Sequence, residues 1–291
     1  MNKLESLEKN KLLICIYSSH ADLNIAKQLR QYISSSELKY QKNIIVLSDI
    51  NQPDDFSYDE NEGILYVKVK ECYTYLSLKT KMMFNACSSL FDFNFLVKWD
   101  ASTMVKERCY TWKDRPDVIF KNLIKFRFDR HYYSHLRSSC DGKGSKNWFL
   151  RRKKRFLPIL NEENRDLDSE NLIPSRVRYC KGKFYIISKK FCTFMKNSSV
   201  CIDIFQKNFQ HNFGSEDISV GMCFLKFKEH LLLQKNTQKK YTGKTDSGKG
   251  DKSRQVTKQY EENYTKIFPN AFKPKWQVEL ETKQDEQNST K

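Results

Sequence analysis

Four groups of residues in this chain have types and spacings that could carry chemistry. Glu216 and Asp217 are adjacent carboxylates just ahead of an apolar helical pattern. One member of such a pair can take a proton as general base, although two acids at a helix start also simply favour the positive end of its dipole. Asp100 follows the apolar run Phe93 to Val97, with Lys98 two positions before it. An acidic residue just past a buried strand stands where open α/β sheets collect ligands, and it fits a surface turn equally well. His131 and His135 are four apart, which suits two metal ligands on a helical face. No third ligand is near, and stacking with Tyr132 and Tyr133 is the plainer reading. Trp148 to Arg155, WFLRRKKR, is the strongest basic run, compatible with nucleic acid or with a solvated face.

The elements that must position these residues alternate in type. Lys11 to Tyr17 reads as a buried strand. A helix from about Asp22 to Ile33 follows, with Asp22 as N-cap and Leu23, Ala26, Leu29 and Ile33 in helical period. Ile44 to Leu47 and Ile64 to Val69 are further strands, separated by an acidic loop, Gln52 to Gly63, in which Asp54 and Asp55 cap or face water. Tyr75, Leu78, Met82, Met83, Ala86 and Leu90 then form an apolar helical stripe leading into the strand before Lys98. Val118 to Phe126 fits a helix or a strand. Gly182 precedes a strand, Phe184 to Ile187, and Ser215 with Asp217 fits a capped helix start. Such alternation predicts an α/β fold with a mostly parallel central sheet.

The 291 residues can bury a sizeable core, and 39% hydrophobic with 13% aromatic content argues for a folded chain. A formal net charge of +17 suits nucleic acid, an anionic surface or a phosphate-bearing ligand, and selects none of them. Nine Cys without a Cys-x-x-Cys pair argue against a zinc ribbon. No run approaches the roughly twenty apolar residues that span a bilayer. The opening, MNKLESLEKNK, is polar, so no signal peptide is expected within this sequence. Sequons stand at Asn197, Asn263 and Asn288. Residues 1–233 read as the folded domain, 234–262 as a disordered basic linker, and 263–291 as a C-terminal segment in which Phe268, Phe272 and Trp276 could dock.

Four blocks, in order, resemble the β-1,3-galactosyltransferase-like family of inverting glycosyltransferases. LLICIYSSHADLNIAKQLRQYI is similar to the family's opening strand, Ser-Ser and Arg-bearing helix; Arg30 matches an Arg, while Ala26 and Ile33 replace an Arg and a Trp. YLSLKT, a helix and FNFLVKWDASTMV resemble Asn-Leu-Thr-Leu-Lys-Thr, a helix and Lys-x-Asp-Asp-Asp, with Leu76, Leu78, Lys79, Thr80, Lys98 and Asp100 matching. Ala101 and Ser102 stand where the second and third Asp would be. RYCKGKFYIIS is similar to Tyr-Cys-x-Gly-x-x-Tyr-Val-Leu-Ser, and SEDISVGMCFLK to Glu-Asp-Val-x-Val-Gly-x-Cys-Leu.

The resemblance implies a GT-A-like nucleotide-sugar-binding fold and transfer of a hexose from a UDP-sugar donor to a glycan or glycoprotein hydroxyl, of β-1,3-galactosyl or N-acetylhexosaminyl type, with inversion. It implies Asp217 as catalytic base with Glu216 beside it, Arg30, Lys98, Asp100 and Ser102 at the donor, and Gly182 and Tyr185 at the acceptor. Mn²⁺ would be held by Asp100, weakly, because the other two Asp are replaced. The family is Golgi-resident; the absence of a leader in the sequence leaves a cytoplasmic alternative. Other readings of the residues are a catalytically inactive relative that binds glycans or a partner protein and, favoured by charge alone, a nucleic-acid-binding protein.

Overall fold

The computed structural model describes residues 10–109, 111–140, 163, 173, 176–211 and 216–241. The chain divides into two units, Met1–Leu233 and Gln234–Lys291. The basic run 148–155, Ser215 and the 263–291 segment lie outside the described residues.

The first unit is built on a seven-stranded mixed sheet. Its strands are β1 (Leu12–Tyr17), β2 (Lys42–Ser48), β3 (Phe56–Asp59), β4 (Ile64–Val67), β5 (Phe95–Asp100), β6 (Tyr132–Tyr133) and β9 (Phe184–Ser188). They lie in the order β3-β4-β2-β1-β5-β9-β6. The β4-β2-β1-β5 pairs are parallel, and β3 and β9 run against their neighbours. A separate antiparallel pair joins β7 (Arg137–Cys140) to β8 (Val177–Cys180). This mostly parallel α/β arrangement is compatible with a Rossmann-like fold.

The central strands are continuous apolar runs because both faces of the sheet are covered. Leu13, Cys15 and Tyr17 of β1 join one core with helices α2 (Leu76–Leu90), α4 (Lys189–Asn197), α5 (Ser199–His211) and α6 (Glu216–Tyr241). The alternate residues Leu12, Ile14 and Ile16 join the opposite core with α1 (Leu23–Ser34) and α3 (Pro116–Ile124). Period-2 alternation therefore decides which side each residue serves.

Several expectations are revised. Phe56–Asp59 forms an edge strand inside the segment read as a loop. Asp22 makes no side-chain cap on α1; its carboxylate pairs with Arg108 at 2.7 Å. The buried face of α2 keeps Met83 and Ala86 of the expected stripe, with Tyr75, Leu78 and Met82 partly buried against the same core, and adds Ser77, Lys79, Thr80, Phe84 and Cys87, while Leu90 is exposed. Val118 to Phe126 resolves as helix α3. The helix starting at Glu216 continues to Tyr241, so residues 234–241 are helical rather than linker. His131 and His135 diverge: His131 Nδ1 meets Ser188 Oγ at 2.7 Å, while His135 Nε2 meets the Lys113 carbonyl at 2.9 Å. All nine Cys are free thiols, and the Cys15 and Cys87 sulfurs approach to 3.6 Å inside the core.

Candidate functional site

The strand order reverses its direction of growth between β1 and β5. From β1 the chain adds β2 and β4 on one side, then crosses to add β5 on the other. At such a switch point the two flanking connections part, leaving a crevice beyond the carboxyl ends of the strands. A cleft of about 1030 Å³ occupies that position. Its floor is Tyr17 and Ser18 at the end of β1 and Lys98 and Asp100 at the end of β5. Gly182, Glu216 and Asp217 form one wall, and Glu71, Cys72 and Lys79 at the start of α2 another.

Lys98 and Asp100 are two apart, so they share the sheet face that carries Tyr17. Lys98 is buried with its Nζ 3.1 Å from Glu216 Oε1, both side chains being 5% exposed or less. The same ammonium donates to the Gly182 carbonyl and lies over the Tyr17 ring at 4.4 Å. A buried charge is tolerated when it is paired and hydrogen-bonded, and both conditions hold here. Lys98 thus ties β5 to the turn before β9 and to the first turn of α6.

Gly182 sits at the centre of this knot. A Cβ there would stand 2.6 Å from Glu216 Oε1, so the absence of a side chain is what lets Glu216 close on Lys98. Its N–H donates to Asp217 Oδ2 at 3.0 Å, while Asp217 Oδ1 accepts the N–H of Ile218 at 2.9 Å. Asp217 is therefore held in one orientation from both oxygens and still lines the cleft. Gly221, one turn further along α6, allows a second close approach: a Cβ there would meet Tyr179 Cβ at 2.7 Å.

Asp100 begins a tight turn. Its Oδ1 accepts from Ser102 N at 2.9 Å and from Ser102 Oγ at 2.5 Å. Trp99 Nε1 donates to Thr103 Oγ1 at 3.0 Å and pins the same turn from the opposite face. Lys183 lies across from Asp100 because the β5–β9 ladder continues one step beyond Trp99 and Phe184, with Asp100 N donating to the Lys183 carbonyl at 2.9 Å. The Lys183 ammonium consequently donates to Ser102 Oγ and stands 3.9 Å from Asp100 Oδ1.

Lys79 is buried where the opening of α2 meets β1. Its Nζ donates to the Ser18 carbonyl and stands 4.6 Å from the centre of the Tyr17 ring. Its pKa is lowered to about 7, by burial first and with Lys98 in the same direction, against the opposing charges of Glu71 and Asp100. Tyr17, beneath both lysines, has its pKa raised well above the ordinary tyrosine value by burial first and the Glu216 charge second.

Two expected site residues lie elsewhere. Arg30 is at the amino ends of the strands, with Nε donating to Asn43 Oδ1 at 3.0 Å and Nη1 to the Glu62 carbonyl. A helix that follows a parallel strand runs back along the sheet, so only its first turn remains beside the cleft. Tyr185 is fully buried in the core next to Tyr132, and its hydroxyl has no hydrogen-bond partner among the described residues. Burial raises its pKa well above the ordinary value, and it does not line the cleft. Lys79 and Lys183, by contrast, lie on the cleft and had no assigned role.

The donor set does not fit a divalent cation. A hard cation takes several anionic or carbonyl oxygens. This corner offers one carboxylate and one hydroxyl, with a lysine ammonium already against them. Among the described residues no group of three or more His, Cys, Asp and Glu side chains is placed to hold a metal ion.

Together the sheet and cleft define an α/β protein with a crevice lined by several charged residues at the switch point of a mostly parallel sheet. No protein-family model matches the chain, and no curated protein matches it. No helix among the described residues is long and apolar enough to cross a membrane.

Proposed function

We propose that this chain is an inverting hexosyltransferase that moves a sugar from a UDP-sugar to an acceptor hydroxyl. One observation carries the reading. The four stretches that resemble the glycosyltransferase family, separated by up to two hundred residues, meet on the same cleft through Ser18, Lys79, Asp100, Gly182 and Asp217. A protein with no use for that combination has no reason to gather it at a strand-end crevice of this size.

In this reading Asp217 is the base. Inversion requires a proton acceptor on the far side of the anomeric carbon from the leaving diphosphate, and a carboxylate on the cleft wall with its orientation fixed by the Gly182 N–H is suited to that task. Glu216 is occupied by Lys98 and acts as a positioning group. The Asp100 carboxylate, which lines the cleft, would accept ribose hydroxyls of the nucleotide. The experiment is UDP binding by calorimetry, followed by product analysis with a panel of UDP-sugars and glycan acceptors. Asp217→Asn should abolish transfer and leave UDP affinity within about threefold, because the amide keeps shape and loses basicity. Wild-type turnover by that variant would remove Asp217 from the mechanism.

A second reading, a nucleotide-sugar- or glycan-binding protein without turnover, is favoured by Ala101 and Ser102 and by the engagement of both Asp217 oxygens. UDP binding without transfer from any donor would select it. Failure to bind UDP would dismiss the transferase and the nucleotide-sugar binder, and glycan binding without UDP binding would leave the glycan-binding form of the second reading.

A further inference from the structure

We infer that the cleft takes the diphosphate of its ligand on the Lys183 ammonium, in the place where a divalent cation would otherwise stand. The inference rests on the UDP-sugar reading and says how that ligand's charge is met. A departing diphosphate needs a fixed positive charge close to its oxygens, and a preorganised ammonium can supply it as a metal ion does.

Three observations converge. The Asp100 turn directs its Oδ1 onto its own Ser102 rather than outward as one of a set of ligands. The β5–β9 register places Lys183 opposite Asp100, and the ammonium rests on Ser102 Oγ, 3.9 Å from the carboxylate. Several other charges around the cleft are matched, although Lys79 and Lys181 line it as well. Arg108 pairs with Asp22, Lys98 with Glu216, and Glu71 accepts the His20 N–H. A cation binding at Asp100 would have to approach a like charge held there by backbone registry. Lys183 lines the cleft beside Ser102 and Asp100, so a phosphate oxygen there would add to, or compete with, the contacts that its three donors already make. Opposite charges facing each other across a ladder are mutually stabilising, which keeps Lys183 in position before any ligand arrives.

The probes are UDP and inorganic pyrophosphate, titrated calorimetrically into the full chain in EDTA and again with Mn²⁺. Both should bind in EDTA, and Mn²⁺ should change the affinity less than about twofold. Lys183→Ala should weaken both by about 10- to 100-fold, the usual loss for a hydrogen bond to a charged group, while Lys183→Arg retains most of it. Melting temperatures of both variants check that they fold, and Lys183→Arg keeps the comparison informative if the alanine variant does not. The combination of Lys183→Ala with Ser102→Asp should create Mn²⁺ binding that the natural chain lacks. Binding that appears only with Mn²⁺, or unchanged affinity of Lys183→Ala in EDTA, would overturn the inference and leave the transferase reading standing. Pyrophosphate binding in EDTA with no preference for UDP would instead support the ammonium site and sink the nucleotide reading. Absence of binding under both metal conditions overturns the two together.

Discussion

Lys79 is a lysine whose folded-state acidity makes stability depend on pH in a definite direction. Its pKa falls from 10.5 to about 7, with burial as the leading cause. Between those values the unfolded chain holds a proton that the folded chain has released. Stability therefore rises with pH across that window, by at most about 1.4 kcal/mol per unit, and is flat below it, where both states are protonated. Lys79→Met should remove this slope. The difference in urea midpoint between the natural chain and the variant should move in favour of the natural chain from pH 7 to pH 9; a constant difference would mean that Lys79 stays charged. The same residue predicts linkage to ligand. An anion bound beside Lys79 favours its charged form, so UDP binding at pH 8 should take up protons, visible as a dependence of the calorimetric enthalpy on buffer ionisation heat. Gly182 makes a geometric prediction. Gly182→Ala brings a Cβ to 2.6 Å from Glu216 Oε1 and should push that carboxylate off Lys98. The expected cost is about 1–3 kcal/mol, read from denaturant unfolding. An unchanged midpoint would show that Glu216 can give way without loss.

At the scale of elements, what was legible in the sequence follows from how completely each element is buried. β1, β2, β4, β5 and β9 carry apolar runs, broken in β5 by Lys98, because both sheet faces are covered, and each is readable from its own residues. β3 is not, since Phe56-Ser57-Tyr58-Asp59 is half-buried at the sheet edge and looks like the acidic loop around it. The face of α2 is only partly legible for a related reason. Its buried side includes Ser77, Lys79 and Thr80, polar residues turned toward the cleft and the end of β1, which a search for apolar periodicity discards. Lys98, Asp100, Gly182, Glu216 and Asp217 are singled out through the family resemblance, at a strand end, a turn glycine and a helix start that local pattern can locate without giving them a role. Lys183 has no such signal. Its place opposite Asp100 exists only once β5 and β9 are paired in register, and that pairing joins residues more than eighty positions apart. Arg30 was misassigned because sequence shows that a helix follows a strand but not how far along the sheet a given turn has returned. Gly221 gives this scale its own test. Gly221→Ala gains about 1 kcal/mol of helix propensity but must fit a Cβ 2.7 Å from Tyr179 Cβ. Net destabilisation by thermal melt is expected, and net stabilisation would mean that β8 can move away from α6.

For the whole molecule, stability should be graded outward from the β1–β5 pair. Those strands are buried and hydrogen-bonded on both sides, so their amides should exchange last. α6 should show the reverse gradient along a single helix. Its Ile218, Val220, Cys223 and Phe227 are in the core, whereas residues 232–235 are exposed in succession, so the turn around them should exchange much faster than the turn at Cys223. Equal protection from Ile218 to Lys235 would contradict this. The late arrival of β9 has a consequence for how the protein comes into being on the ribosome. Everything needed for the β4-β2-β1-β5 half of the sheet has been synthesised by Asp100, but the strand that covers the open side of β5 is not complete until Ser188. Through that interval Phe95 to Trp99 is an apolar edge with unsatisfied backbone groups, a template for pairing with another nascent chain. Chains released by truncation near residue 130 should aggregate or remain bound to chaperones, and those extended past Ser188 and through the core-covering part of α6 to Phe227 should become soluble, with the glycine turn at 182 delivering both the missing strand and Lys183 in the same closing movement.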